Sequence, residues 1–384
     1  LRKSFKEKLR PPPSQERGLE EVLWRCRTLY NTALEHRQRS TAWQRCHVSV
    51  SRFEQEAELK AIRAEFPEYA VLHSHVLQDV LARLDKTYQA FFRRLERGEK
   101  PGFPRFKGRY GNCYRSFTFK EYGNGARLDN GSLVLSKIGR ISVHWSRSIE
   151  GTPKTVTLSK EADGWYVSFS CAEVSVQPLP PTGQETGIDL GLESFATLAD
   201  GTRILTPGYY RRAEQYLAKC QRRVSRRKQG SHRRRKAVCW LAKAHQKVRR
   251  QRRDFHHKTA LKLLSAYDTI YHEDLQVRNL LRNHHLAKSI SDAGWSAFLA
   301  ILSFKAAHAG RSVHAVDPAF TSQACSGCGV IVQKGVSVRW HSCPDCGTSL
   351  DRDHNAARNI LWRGQRLRGL VGMPAGLNRE PVGI

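Results

Sequence analysis

The sequence contains no run of eighteen apolar residues, so no membrane-spanning helix is expected. Its opening, Leu1-Arg-Lys-Ser-Phe-Lys, lacks the apolar core of a signal peptide. Because it starts on Leu1 rather than methionine, it is read as a trimmed or incomplete start. Acidic residues are scarce: 35 Asp and Glu face 65 Lys and Arg, a formal net charge of +30. Such an excess, clustered rather than spread, favours a polyanionic partner, of which phosphate backbones are the commonest. No internal repeat is evident. Of ten cysteines, six (Cys26, Cys46, Cys113, Cys171, Cys220, Cys239) are scattered without pattern. That argues against a disulfide framework and for a reducing compartment.

What is present reads as a multidomain α+β chain, since 384 residues allow two or three domains. Residues 1–13 precede a helical region, 14–110, with Ser14 expected to cap the first helix after Pro11-Pro-Pro. Leu19, Val22, Leu23, Cys26, Leu29, Tyr30 and Ala33 recur there at helical spacing. Residues 111–180 change to short strands separated by turns such as Asp129-Asn-Gly131, which predicts a small β-barrel. From 181 to 320 the order is hairpin (186–189, 194–198), basic helices, strand (269–272), helix (293–309) and strand (312–316), an RNase H-like α/β pattern. Residues 321–349 hold paired cysteines, 350–368 a last helix from Asn355 to about Trp362, and 369–384 a Gly- and Pro-rich tail expected to be disordered.

Three carboxylates stand out. Asp189 lies in Gly187-Ile-Asp-Leu-Gly191, Glu273 in Ile270-Tyr-His-Glu-Asp-Leu275, and Asp353 just before Asn355-Ala-Ala357. Phosphodiester cleavage with two divalent cations needs carboxylates from separate elements converging on ions about 3.5–4 Å apart, and magnesium suits such a donor set. Each residue also has a plainer reading: a turn residue, a strand-end surface acid, a helix cap. Asp274 and Asp351 stay open as alternatives. Cys325-x2-Cys328-x14-Cys343-x2-Cys346 is a stronger signal, two knuckles of the kind that cage a structural zinc with four thiolates. Together these features point to a metal-dependent nuclease.

Residues 211–253 hold eighteen Lys and Arg against one acid, Glu214, in two helices that turn at Gly230-Ser231. They are too charged to bury, so Arg222, Arg223, Arg226, Arg227, Lys228, Arg249 and Arg250 are expected to meet a nucleic-acid backbone. The segment 93–115 interleaves Arg105, Lys107 and Arg109 with Phe103, Phe106 and Tyr110. Its aromatics either stack on bases or pin the loop to the helices.

The chain resembles the TnpB family, transposon-encoded RNA-guided nucleases related to the type V CRISPR effectors. The likeness runs through Cys26-Arg-Thr-Leu-Tyr-Asn31, Lys100-Pro-Gly-Phe-Pro-Arg-Phe-Lys107, Gly187-Ile-Asp-Leu-Gly191, His272-Glu-Asp-Leu275, Lys288-Ser-Ile-Ser-Asp-Ala-Gly-Trp295, Thr321-Ser-Gln-Ala-Cys325 and Asp351-Arg-Asp-His-Asn-Ala-Ala357. It implies a RuvC-type domain with catalytic Asp189, Glu273 and Asp353 holding two Mg2+ ions, a zinc-finger insertion, a helical recognition lobe and a wedge barrel that includes the first strand. It further implies a guide RNA from the transposon end, double-stranded target DNA cut beside a short flanking motif, and a monomeric protein. The rival expectations are an RNA-guided repressor that does not cut and a transposase or its accessory.

Overall fold

The computed structural model describes residues 1–42, 50–108, 113–335 and 338–369, with side chains of 40–42 left aside. Cys46, Arg109, Tyr110 and the tail from 370 onward lie outside the described residues. The chain forms two compact units, Leu1–Ser175 and Val176–Ile384. Among the described residues no helix is long and apolar enough to cross a membrane.

Among the described residues, the first unit combines four helices with one antiparallel sheet. Strand β1 (Lys3–Arg10) leads into α1 (Pro13–Ala42), α2 (Arg52–Glu65), α3 (Pro67–Ala70) and α4 (Ser74–Glu96). The helix α1 starts one residue earlier than Ser14: the Pro12 carbonyl accepts the first intrahelical bond, from Glu16 at 2.9 Å. Pro13 then occupies the first helical position, where its missing N–H costs nothing. Strands β2 (Ser116–Phe119), β3 (Ala126–Asp129), β4 (Ser132–Leu135), β5 (Gly139–His144), β6 (Thr152–Glu161) and β7 (Gly164–Ala172) complete the unit. Their order is β2-β6-β7-β1-β5-β4-β3. No ladder joins β2 to β3 among the described residues, so hydrogen bonding leaves the expected barrel open between its end strands. The N-terminal β1 sits centrally, paired with both β7 and β5.

Alternation decides which face of this sheet is core. Phe5, Phe117, Phe119, Val156, Leu158, Val167 and Phe169 are buried together with Leu19, Leu23, Cys26, Leu77, Val80 and Leu84 of α1 and α4. The β3–β4 turn is a two-residue loop with Asn130 and Gly131 both at positive φ (47° and 73°), the mirror-image turn that matches strand twist. In the loop after α4, Phe103 stacks edge-on against Tyr88 and Phe91, with ring centroids 5.8 and 5.2 Å apart. Asn31 accepts from the Lys107 backbone N–H at 2.8 Å and donates to its carbonyl at 3.0 Å. Phe103 therefore pins the loop to the helices, while Arg105 stays exposed.

The second unit is built on β8 (Glu185–Asp189), β9 (Ser194–Leu198), β10 (Arg203–Leu205), β11 (Thr269–Glu273) and β12 (Ser312–Val316). The sheet order is β10-β9-β8-β11-β12. Strand β8 runs antiparallel to β9 but parallel to β11, and β11 is parallel to β12. Between β10 and β11 lie α5 (Tyr209–Ser225) and α6 (His232–Ala266). A single helix spans 232–266, because no Gly or Pro interrupts it. Ser231 caps α6 through the Arg234 N–H at 3.1 Å. The apolar end of α6, with Ala260, Leu263 and Leu264, joins Ile188, Phe195, Ile270 and Phe298 in the core.

After β11 come α7 (Val277–Leu280), α8 (Ala287–Ala293) and α9 (Trp295–Ala309). The helix expected over 293–309 begins at Trp295, because Gly294 in the left-handed conformation ends α8 and starts α9. A small hairpin, β13 (Trp340–Ser342) and β14 (Ser349–Asp351), feeds α10 (Arg352–Leu367). This last helix lies hard against the sheet. A Cβ on Gly187 of β8 would sit 2.2 Å from the Ala357 carbonyl oxygen, and one on Gly364 would sit 2.0 Å from the Tyr271 ring. Buried Ala356, Ala357 and Ile360 fill the same seam.

Gly187→Ala is expected to lower the thermal midpoint, at an overpacking cost of about 1–3 kcal/mol. Gly18→Ala in α1, where an added Cβ meets nothing within 4 Å, should leave it unchanged or raise it by up to about 1 kcal/mol. Calorimetry on both variants tests the contrast; equal midpoints would mean that α10 can back away from the sheet freely.

Candidate functional site

The parallel run of β8 and β11 puts their carboxyl ends at one sheet edge, and each ends in an acid, Asp189 and Glu273. The first turn of α10 supplies Asp353. All three line one cleft, together with Gly191, Arg339 and Arg352.

The helix start differs from expectation in a way that separates the two aspartates. The last helix begins at Arg352, not Asn355, and its cap is Asp351. The Asp351 carboxylate accepts from the backbone N–H of Asp353 at 3.0 Å and of His354 at 3.3 Å, and pairs with Arg203 at 2.7 Å. Asp351 is thus occupied in holding the helix terminus. Asp353, two residues further on, lines the cleft, where its Oδ1 meets Arg352 Nε at 3.4 Å and Arg339 Nη1 at 3.5 Å. Arg339 also bridges to Glu193.

Charge is concentrated here at a cost. Burial, then the neighbouring Glu273 and Asp353, push the Asp189 carboxyl well above the usual carboxylate range. Burial likewise raises Glu273, against a hydrogen bond from the Thr321 hydroxyl and the Arg363 guanidinium, which pull it down. Asp189 accepts no hydrogen bond from any described residue. A buried carboxylate faced by two others and given no donor suits a divalent cation, which would replace mutual repulsion by attraction. Arg339 and Thr321 are contributors that sequence reading missed. Both are remote in the chain from the acids they meet, and no local spacing signals such contacts.

The four cysteines form the one group of three or more potential ligands, among the described residues, whose donor atoms all lie within 4.8 Å of one another. Cys325 Sγ is 3.6 Å from Cys346 Sγ, and Cys328 Sγ 3.5 Å from Cys343 Sγ. Thiolates about 2.3 Å from a shared tetrahedral centre would be about 3.8 Å apart, so the group can hold one metal ion. The two knuckles match: Gly329 N–H donates to the Cys325 carbonyl at 2.8 Å and Gly347 N–H to that of Cys343 at 3.1 Å. Both glycines have positive φ, 83° and 73°, as the tight turn requires.

This module is tied to the helix that carries Asp353. Asn355 accepts from Ser326 N–H at 2.9 Å and donates to the Ala324 carbonyl at 2.7 Å. Asn359 donates to the Thr321 and Ala324 carbonyls at 2.8 and 2.7 Å. The basic residues Arg222, Arg223, Arg226, Arg227, Lys228, Arg249 and Arg250 are all exposed on α5, α6 and the turn between them, away from the three acids in sequence.

Comparison with known proteins agrees with this architecture. Residues 168–284 match a family described as a probable transposase, and residues 295–360 match the Cas12f1-like TNB domain. A Streptomyces pristinaespiralis protein named "Putative RNA-guided DNA endonuclease" is 37% identical over 373 residues, covering 95% of this chain and 90% of the relative. An Escherichia coli K12 protein of the same designation, InsQ, is 29% identical over 407 residues, covering 99% of this chain and 97% of its own. A cryo-EM structure of a Cas12f1–sgRNA–target DNA complex superposes with a TM-score of 0.54 at 13% identity, over 90% of this chain and 82% of that one, a likeness of fold. With a relative this similar over nearly its whole length, the chain belongs to the TnpB family of RNA-guided DNA endonucleases.

Proposed function

We propose that this chain cuts double-stranded DNA under the direction of a bound guide RNA, beside a short flanking motif, using one divalent-metal site of RuvC type. The observation that carries the reading is the arrival of Asp189, Glu273 and Asp353 at one cleft from two parallel strand ends and a helix start. The sheet order, with its antiparallel second strand, fits an RNase H-like nuclease domain. The first unit is the counterpart of a wedge and recognition lobe. Base pairing with the guide reads sequence, and the protein reads backbone, shape and the flanking motif.

Asp189, Glu273 and Asp353 would hold two magnesium ions, which activate water and stabilise the leaving oxygen of a phosphodiester. The chain's own groups do the rest. Thr321 donates its hydroxyl to one oxygen of Glu273, which lines the cleft. Arg339, held by Glu193 and Asp353 at the cleft, is placed to donate hydrogen bonds to a phosphate oxygen. A single carboxylate set would cut the two strands in turn. The cysteine module takes a structural zinc, since four thiolates leave no open position.

Asp189→Ala should abolish magnesium-dependent cleavage of a guide-matched duplex while guide RNA still co-purifies. A cleaving variant would exclude this site, and loss of RNA in a folded variant would contradict the division of labour.

Without metal, the raised pKa of Asp189 means that the folded state takes up a proton more readily than the unfolded one. Stability then falls as pH rises from the ordinary Asp value through the raised one. Asp189→Asn should therefore raise the metal-free thermal midpoint at pH 7 and cancel the stabilisation that added magnesium gives wild type. An unchanged midpoint would mean that the three acids do not strain the fold.

Cys343→Ser should lose the bound zinc, measured by elemental analysis, and unfold at lower temperature, because such a site couples metal binding to folding. Full zinc content with a normal melting curve would refute a structural role.

A further inference from the structure

One face of α6 combines features that neither the core nor the nuclease cleft uses. Arg233, Lys236, Trp240, Lys243 and Lys247 are spaced i−7, i−4, i, i+3 and i+7 about the tryptophan, so they fall on one stripe of the helix. All five are exposed. Trp240 is 50% exposed, and the Arg223 guanidinium from α5 lies 4.9 Å from its ring centroid. The buried positions of the two helices, Ala237 on α6 and Leu217, Cys220 and Val224 on α5, are separate from these five. None of the five has an acidic partner among the described residues.

A single exposed apolar side chain would need no explanation. A tryptophan with two cations on each side along the helix, and the Arg223 guanidinium over one face of its ring, is a different object. The cations repel one another unless a polyanion lies across them. The ring offers a flat apolar face at the centre of that line, which only an unstacked base can cover while its neighbouring phosphates reach the lysines. Duplex DNA keeps its bases stacked inside and cannot use the ring.

We infer that this stripe of α6 binds an unpaired segment of RNA, with one base stacked on Trp240 and the flanking phosphates on Lys236, Lys243 and Lys247. The inference rests on the reading that the chain holds a guide RNA. RNA is the occupant, rather than displaced DNA, because the stripe's charge needs a resident counter-polyanion before any target arrives.

The test uses the full chain freed of nucleic acid and three labelled probes of equal length: oligouridylate, an RNA duplex and single-stranded DNA. Trp240→Ala should weaken oligouridylate binding about tenfold, within the range of one base–aromatic stack. Trp240→Phe should recover most of that, and the thermal midpoint should not move, since the ring is exposed. The Lys236→Gln, Lys243→Gln, Lys247→Gln triple variant should flatten the salt dependence of binding by about 2 in log–log slope, whereas Trp240→Ala should leave the slope as in wild type. Wild-type affinity of Trp240→Ala for oligouridylate would overturn the inference while leaving guide binding intact. So would an equal loss on the RNA duplex, or a loss confined to single-stranded DNA, which would give the stripe to the displaced target strand. Failure of wild type to bind any RNA would instead sink the guide-RNA reading itself, and the inference with it.

Discussion

Contact between α10 and β8 is the constraint on which the second unit depends. Helix and strand approach until no Cβ fits at Gly187, and the same helix rests on the Tyr271 ring of β11 at Gly364. Two glycines on two elements, one below and one within the helix, set this distance. Because α10 begins at the carboxyl edge of the sheet, its closeness decides whether its first-turn acid can share a cleft with the acids that end β8 and β11. Backbone contact of this kind tolerates little adjustment, since neither the Ala357 carbonyl nor the strand can rotate away as a side chain would.

The cysteine module is part of the same arrangement. It lies in the chain between β12 and α10, and returns through β13 and β14 directly into the Asp351 cap. Asn355 and Asn359 fasten its first knuckle to the helix by hydrogen bonds that satisfy backbone groups on the loop. Both asparagines are buried, so these bonds are made away from competing water. A metal held by the four thiolates would therefore stiffen the segment that delivers Asp353 and Arg339, without touching the three acids.

Much of this was legible in the sequence, for reasons that differ by residue. The strand-end positions of Asp189 and Glu273 follow from short β-branched and apolar runs that stop at the acid. The cysteine cluster follows from spacing alone. The choice between Asp351 and Asp353 does not, because either aspartate could cap the helix, and only the structure shows that the Asp351 side chain accepts the two N–H groups. The start of α1 at Pro13 and the break at Gly294 are one-residue decisions between competing local preferences. The short strand β10 escaped notice because three residues carry no periodicity. Arg339 was invisible because its partners, Glu193 and Asp353, are brought to it by the fold.

The continuity of α6 has a mechanical meaning. At 1.5 Å per residue its 35 residues make a rod about 50 Å long. One end is clamped in the core beside Phe195 and Phe298, with the buried His256 hydrogen-bonded to the Ala293 carbonyl at 2.9 Å. The other end carries the basic stripe and has no glycine or proline at which to bend. Whatever load falls on the stripe reaches the sheet undamped, at the strand next to β8. The helix works as a lever whose fulcrum lies in the core of the domain that would do the cutting.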